Sequence, residues 1–405
     1  MLTKLKNYPT TVNLLLSASL ILTLSRAITL PYLVIYLSGS FGLSIADIGL
    51  VIGSTLIIGS LLSLYGGFLV DKTSSYRLIL WLSCLFTLGF LGTFLARDLW
   101  LFYSCLVLIN LTYAVIDIAV KSGFGSLLPV TGRSEVFSIK YTLTNIGYAI
   151  GPFLGASVAK IDISLPFLFS AGLGAGFFFI YFVWGDRNLG ATDEARKPSP
   201  FLSVGKLLLR DYRLVCFTLG GLFSAVVFGQ FTAYLSQYLM VTTTPESTYR
   251  IISTIVATNA LMVIGLQYSI GRKITNRHLN LWLAAGLGMF MMGLAGFALS
   301  TSVPHWVISM AIFTIGEIIV LPAEYMFIDR IAPDNLRGMY YGAQNLSNLG
   351  AALGPVLCGI VLATQHPHYI FYMLALFIVA GGLFYLAGAS NLRVATGKGL
   401  IDEPQ

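Results

Sequence analysis

The sequence predicts an all-α integral membrane protein, with twelve transmembrane helices in two six-helix repeats and both termini cytoplasmic. Three observations predict it. First, 56% of the 405 residues are hydrophobic and only 10% charged, with a mean hydropathy of +0.82, whereas a soluble domain carries about 25% charged residues. Second, the apolar residues gather into twelve runs near the ~20 residues needed to span a bilayer core. None of these runs alternates in the manner of a membrane barrel strand. Third, one pattern of glycine, proline and asparagine occurs in each half of the chain.

The runs cover residues 14–37, 47–70, 78–96, 100–122, 136–159 and 165–184, then 214–239, 251–270, 280–300, 305–327, 340–363 and 369–390. Their flanking charges set the orientation. With both termini inside, all but four of the 24 Lys and Arg are internal; Arg97, Lys160 and Arg250 fall in outer loops and Arg26 within the first run. The formal charge of +7 is therefore a topology signal, and no nucleic-acid partner is needed to explain it. The first run follows Lys4 and Lys6 but exceeds a signal-peptide core and lacks a small-residue cleavage site, so it reads as a retained helix. Cys84, Cys105, Cys216 and Cys358 lie in apolar runs without a CxxC spacing and read as small hydrophobes, with no metal or cofactor implied. His366 and His368 lack a third ligand and read as solvated loop residues.

Leu127–Gly155 reads LLPVTGRSEVFSIKYTLTNIGYAIGPFLG and Ile331–Gly359 reads IAPDNLRGMYYGAQNLSNLGAALGPVLCG. Pro129 and Arg133 match Pro333 and Arg337; after a one-residue slip, Asn145, Gly147, Gly151 and Pro152 match Asn348, Gly350, Gly354 and Pro355. The chain is thus a duplicated six-helix unit, divided as 1–185 and 214–392, with a cytoplasmic linker at 186–213 and a tail at 393–405. The linker is polar, then runs into a short amphipathic stretch expected on the membrane surface. Parallel repeats of this kind belong to transporters, which place substrate where the halves meet.

Two motifs carry a family resemblance over the whole length. Gly147-x-x-x-Gly151-Pro152-x-x-Gly155-Ala156 is similar to the helix 5 motif of antiporters in the major facilitator superfamily, with alanine in its last place. Physically, such glycines let two helices approach and the proline permits bending. Gly67-Phe-Leu-Val-Asp71-Lys-Thr-Ser74-Ser-Tyr-Arg77 resembles that family's loop between helices 2 and 3. The chain thus resembles a twelve-helix drug:proton antiporter, and the resemblance implies that Asp71 and Arg77 carry a conformational latch. Ser74 stands where the family prefers glycine, and the second half lacks the matching aspartate.

Charged residues inside the runs supply the candidate site. Glu317 and Glu324 are two helical turns apart in an otherwise apolar run, and a carboxylate at bilayer depth needs water, a cation or a proton. Glu317, with Glu324 or Asp117 as a second site, is the expected proton carrier. Asn110, Tyr113, Asp117 and Lys121 draw one polar stripe along the fourth helix. Arg26 and Tyr36 share a face of the first, Tyr141, Asn145 and Tyr148 follow the same spacing in the fifth, and Gln230 and Tyr234 in the seventh. Asn259 in the eighth and Phe313 in the tenth complete the expected substrate contacts. Arg26 stays charged and must pair or face water; an Arg26–Asp117 or Lys121–Asp117 pair is the structural alternative to a ligand site.

Together with the resemblance to antiporters of that family, these residues predict a proton-coupled secondary transporter of a bacterial cytoplasmic membrane, acting as a monomer by alternating access. Its cargo is expected to be a small amphiphilic or zwitterionic compound, such as a drug, dipeptide or amino-acid derivative, exported against protons. Import of peptides, sugars or siderophores with protons is the alternative, and a sensor without transport is a different class. No nucleophile–base pair or phosphate-binding loop suggests an enzyme.

Overall fold

The computed structural model describes residues 8–189 and 200–398, and every regular element among them is helical. The solvent dictates this. In hydrocarbon each backbone N–H and C=O must be paired within the protein, and a helix pairs all but its ends. Helices α1 (Thr10–Phe41), α2 (Ile45–Lys72), α3 (Ser75–Leu95), α4 (Leu99–Leu127), α5 (Val130–Ala159) and α6 (Leu165–Trp184) come first. They are followed by α7 (Phe201–Arg210), α8 (Tyr212–Phe228), α9 (Phe231–Thr242), α10 (Pro245–Gly271), α11 (Leu279–Leu299) and α12 (Val303–Ile331). The last are α13 (Arg337–Gln344), α14 (Asn348–Thr364) and α15 (Tyr369–Lys398).

Each of the twelve expected runs lies on helix, but two are subdivided. Among the described residues, 10 stretches are long and apolar enough to cross a membrane, and α7 with α8 forms a pair bent by 81°. Helix α5 is not among the 10: Arg133, Glu135 and Lys140 lie in its first half, and Thr144, Asn145, Tyr148 and Pro152 interrupt the apolar residues of its second. Helix α5 and the α8–α9 pair would complete twelve. The seventh run, expected as a single helix, breaks between α8 and α9, where Gln230 leaves helical geometry at φ −137° and ψ 45°. Tyr234 closes the break by donating its hydroxyl to the Val227 carbonyl at 2.8 Å. The eleventh run likewise opens with the separate helix α13, joined to α14 by the 3₁₀ turn Asn345–Ser347. Large apolar side chains such as Leu61, Trp81, Trp100, Phe153, Leu261 and Leu376 stand exposed, as they do on a protein surrounded by lipid.

Packing divides the chain into two compact units. One holds the described residues up to 189 together with Pro333–Asn345, and the other holds residue 200 to Ala332 and the described residues from Leu346 onward. The sequence division follows the repeat, whereas packing assigns α13 to the first unit. Residues 190–199 of the expected linker, and 399–405 of the expected tail, lie outside the described residues. The amphipathic stretch forms α7, which buries Val204 and Leu208 while Leu202 and Leu209 are exposed.

Glycine decides the closest contacts in both units. In the first, α1 lies against α5 and α6, α3 against α4 and α6, and α2 against α4 and α13. A Cβ at Gly151 would run into Ala27, and one at Gly155 into the carbonyl of Ile28. In the second unit α14 meets α8 in the same manner: Gly350 faces the Leu222 carbonyl and Gly354 that of Val226. The repeated motif therefore performs the same packing task twice. Helix α1 ends at Gly42, whose φ of 64° lets its N–H reach the carbonyls of Leu37 and Ser38.

Candidate functional site

The expected latch residue Asp71 ends α2 and faces the start of α13 within the first unit. A helix N-terminus leaves its first N–H groups without intrahelical partners and carries partial positive charge. Asp71 satisfies two of them: Oδ1 accepts from Gly338 N at 2.6 Å and Oδ2 from Met339 N at 2.8 Å. Gly67 makes the approach possible, since a Cβ there would collide with the Gly338 carbonyl. Arg77 takes no part; it is exposed and forms no hydrogen bond or ion pair among the described residues. The basic residue at this cap is Arg337, buried and paired with Asp334 at 2.9 Å.

The polar stripe of α4 separates into two groups. Toward its start, Arg26 of α1 donates from Nη2 to Asn110 Oδ1 at 2.9 Å and lays its guanidinium 4.2 Å from the centre of the Tyr113 ring. Asn110 donates onward to Thr55 Oγ1 at 3.2 Å, and the Tyr113 hydroxyl meets Thr23 Oγ1 at 2.9 Å. Arg26 is thus held by a neutral amide and an aromatic face, which stabilise a cation without neutralising it. It forms no ion pair with Asp117.

Two turns on, Asp117 lies between two lysines, Lys121 at 3.0 Å and Lys140 of α5 at 2.5 Å. Lys121 and Lys140 are only 2% and 4% exposed. Lys121 also donates to Asn345 Oδ1 at 3.3 Å and sits 5.3 Å from the Tyr341 ring centre. Asp117 thus bridges two buried ammonium groups, and buried charge is costly unless it is paired in this way. Lys140 is the member that the sequence stripe does not contain.

The second unit carries the carboxylates of α12. Glu317, 7% exposed, accepts from Asn259 Nδ2 at 2.7 Å, and the same amide nitrogen lies 3.1 Å from Thr314 Oγ1. Glu324, 4% exposed, accepts the hydroxyl of Tyr385 from α15. Tyr385 is itself buried and packs against Phe217, with ring centres 5.0 Å apart. Gln267 adds a bond from Nε2 to the Ile318 carbonyl at 3.2 Å, one residue beyond Glu317.

The remaining candidates have other surroundings. Tyr36 is buried among Phe41, Phe102 and Phe167, and Phe313 among Phe231, Phe290 and Phe297. Tyr234 is fully buried on the Val227 carbonyl, and Gln230 is exposed at the helix break. In α5, Tyr141 is buried, Asn145 donates to the Tyr141 carbonyl at 3.0 Å, and Tyr148 is 40% exposed. Gly147, Gly151 and Gly155 belong to the α1–α5 contact, and Pro152 lies inside α5.

Comparison with known proteins agrees with this architecture. The model of the Major Facilitator Superfamily matches residues 15–348. The chain is 38% identical over 377 residues to the uncharacterized MFS-type transporter YdeE of Escherichia coli strain K12, covering 92% of this chain and 94% of that one. It is 24% identical to a Na(+), Li(+), K(+)/H(+) antiporter of Planococcus maritimus, covering 95% and 96% respectively. Among solved structures, the fold is similar to that of the transporter FucP in its outward conformation, with a TM-score of 0.74 at 13% identity over 94% of this chain and 98% of that one.

Proposed function

The chain belongs to the Major Facilitator Superfamily, and from that premise we propose that it is a proton-coupled secondary transporter exporting small amphiphilic or zwitterionic compounds from a bacterial cytoplasm. Drugs, dipeptides and amino-acid derivatives are the cargo class. The observation that carries the reading is Glu317, a carboxyl buried in an apolar helix and held by a neutral amide. An amide donates through its nitrogen to a carboxylate and accepts through its oxygen from a carboxylic acid, so Asn259 can hold both protonation states. Asp117 already neutralises part of the charge on two lysines, which suits a fixed counter-ion better than a proton carrier. Glu324 is the second proton site.

Arg26 supplies the fixed cation for an anionic group of the cargo, because neither Asn110 nor Tyr113 cancels its charge. Protons entering the cell release about 2.3 kcal/mol per charge per 100 mV, which drives outward movement of cargo. The named cation/H(+) antiporter among the relatives supports exchange over symport. The protein acts as a monomer in this reading.

Proton movement in proteoliposomes tests the proposal, with dipeptides, amino acids and lipophilic cations offered to wild type and to Glu317→Gln. Antiport lost in the variant, with counterflow of substrate retained, is the expected result. Normal proton exchange by Glu317→Gln overturns the assignment, and proton movement in the same direction as substrate makes the protein an importer.

A further inference from the structure

A cavity of about 320 Å³ lies between α11 and α15 in the second unit, with a nearly all-apolar lining. It runs from Asn280 and Ala389 at one end to Met291 and Ile378 at the other. At 1.5 Å per helical residue that is about 16 Å. Half of a bilayer's ~30 Å hydrocarbon core is about 15 Å, so the groove is one leaflet long. Its flanks are apolar and exposed, with Leu281, Leu383 and Leu386 at 68%, 63% and 58%, so it opens toward hydrocarbon.

The end at Asn280 adjoins the turn that enters α11. That turn, GRKITNRH from Gly271 to His278, contains Arg272, Lys273 and Arg277 and no acidic residue. All three cations are exposed, and none is paired with a carboxylate among the described residues. Arg272 rests 5.6 Å from the Tyr268 ring centre, close to the membrane end of α10. A leaflet-long apolar groove, entered through a turn whose three cations are exposed, matches one ligand chemistry, an acyl chain joined to a phosphate.

We propose that this groove binds an anionic phospholipid of the cytoplasmic leaflet, its acyl chain between α11 and α15 and its phosphate on Lys273 and Arg277. The basic turn lies among the loops that the charge distribution places inside, and the inner leaflet is where anionic lipids attract basic segments. The bound chain touches the ring of Tyr385, whose hydroxyl is on Glu324.

Native mass spectrometry of the purified full-length protein with phosphatidylglycerol or phosphatidylcholine tests this. Wild type is expected to retain one phosphatidylglycerol, preferred about tenfold over phosphatidylcholine. The double variant Lys273→Gln/Arg277→Gln, on an exposed turn, should lose the preference while still retaining lipid. Gly288→Leu should retain neither lipid, since no atom lies within 4 Å of a Cβ built there and the new side chain can occupy the groove. Wild-type preference in the charge variant overturns the headgroup assignment. Unchanged retention by Gly288→Leu, or a lipophilic cation such as tetraphenylphosphonium taking the lipid's place, overturns the groove assignment.

Discussion

Asn259 on α10 holds Glu317 on α12 through a 2.7 Å hydrogen bond, joining two of the helices that pack together in the second unit. Thr314, one turn before Glu317, lies 3.1 Å from the same amide and accepts from it while donating to the Met310 carbonyl at 2.7 Å. Both of these groups are neutral, and together they orient one oxygen of the carboxyl.

Asn259→Leu removes the donor at nearly constant size. A buried polar group deprived of its partner costs about 1–3 kcal/mol, whereas removing both partners together costs less. The single variant should unfold at lower denaturant than wild type, and Asn259→Leu/Glu317→Leu should be more stable than the sum of the two single changes implies. An additive cycle in detergent would show that the bond carries no coupling energy.

The triad of Asp117, Lys121 and Lys140 makes an asymmetric prediction. Asp117→Asn leaves two buried ammonium groups without their shared carboxylate, and breaking a buried pair in this way costs about 3–5 kcal/mol. Lys140→Met leaves Asp117 still paired with Lys121 and should cost less, even though the Lys140 contact is the shorter of the two. Thermal unfolding of the two variants checks the order, and equal loss in both would contradict the charge argument.

At the other end of the first unit, Asp71→Ala uncaps α13. A side-chain cap is worth about 0.5–2 kcal/mol. The loss should appear locally as faster amide exchange at Gly338 and Met339, with the cores of α4 and α5 unchanged. Arg77→Gln should leave those amides as protected as in wild type, since Arg77 does not reach the cap.

Much of the fold was legible because lipid leaves the backbone few choices, and the twelve apolar runs mark helices directly. Breaks within runs were harder to read. The turn at Gly229 and Gln230 sits between apolar residues that continue a span, and the break shows in the structure as the Gln230 dihedrals and the Tyr234 bond to Val227. Among site residues, the stripe along α4 gave the face but not what it meets. Helical spacing puts Arg26 and Tyr36 on one side of α1, yet Arg26 meets an amide and Tyr36 an aromatic cluster. Lys140 lies near the start of its run, outside the α4 stripe, where a lysine is ordinarily a membrane-interface charge. Tyr385 carried no sequence signal, being one of three tyrosines in the last apolar run.

The duplicated glycine motif predicts paired effects. Gly151→Val forces a side chain into Ala27, and Gly354→Val forces one into the Val226 carbonyl. Overpacking of a tight contact costs about 1–3 kcal/mol. Both variants should lower the unfolding temperature. Gly265→Ala, where nothing lies within 4 Å of a Cβ, should be neutral or mildly stabilising because alanine restricts the unfolded chain.

Tyr385 and Glu324 allow structure and proton coupling to be separated at one site. Tyr385→Phe keeps the ring against Phe217 but removes the hydroxyl that Glu324 accepts, so it should lower stability by about 1–3 kcal/mol. Glu324→Gln keeps an oxygen to accept that hydroxyl and loses only the ionisable group. It should therefore remain near wild-type stability while protons moved per substrate fall, measured with a pH-sensitive dye and labelled substrate in the same vesicles. Unchanged proton flux in Glu324→Gln, with destabilisation in Tyr385→Phe, would make the pair a packing contact between α12 and α15. Glu317 alone would then carry the proton.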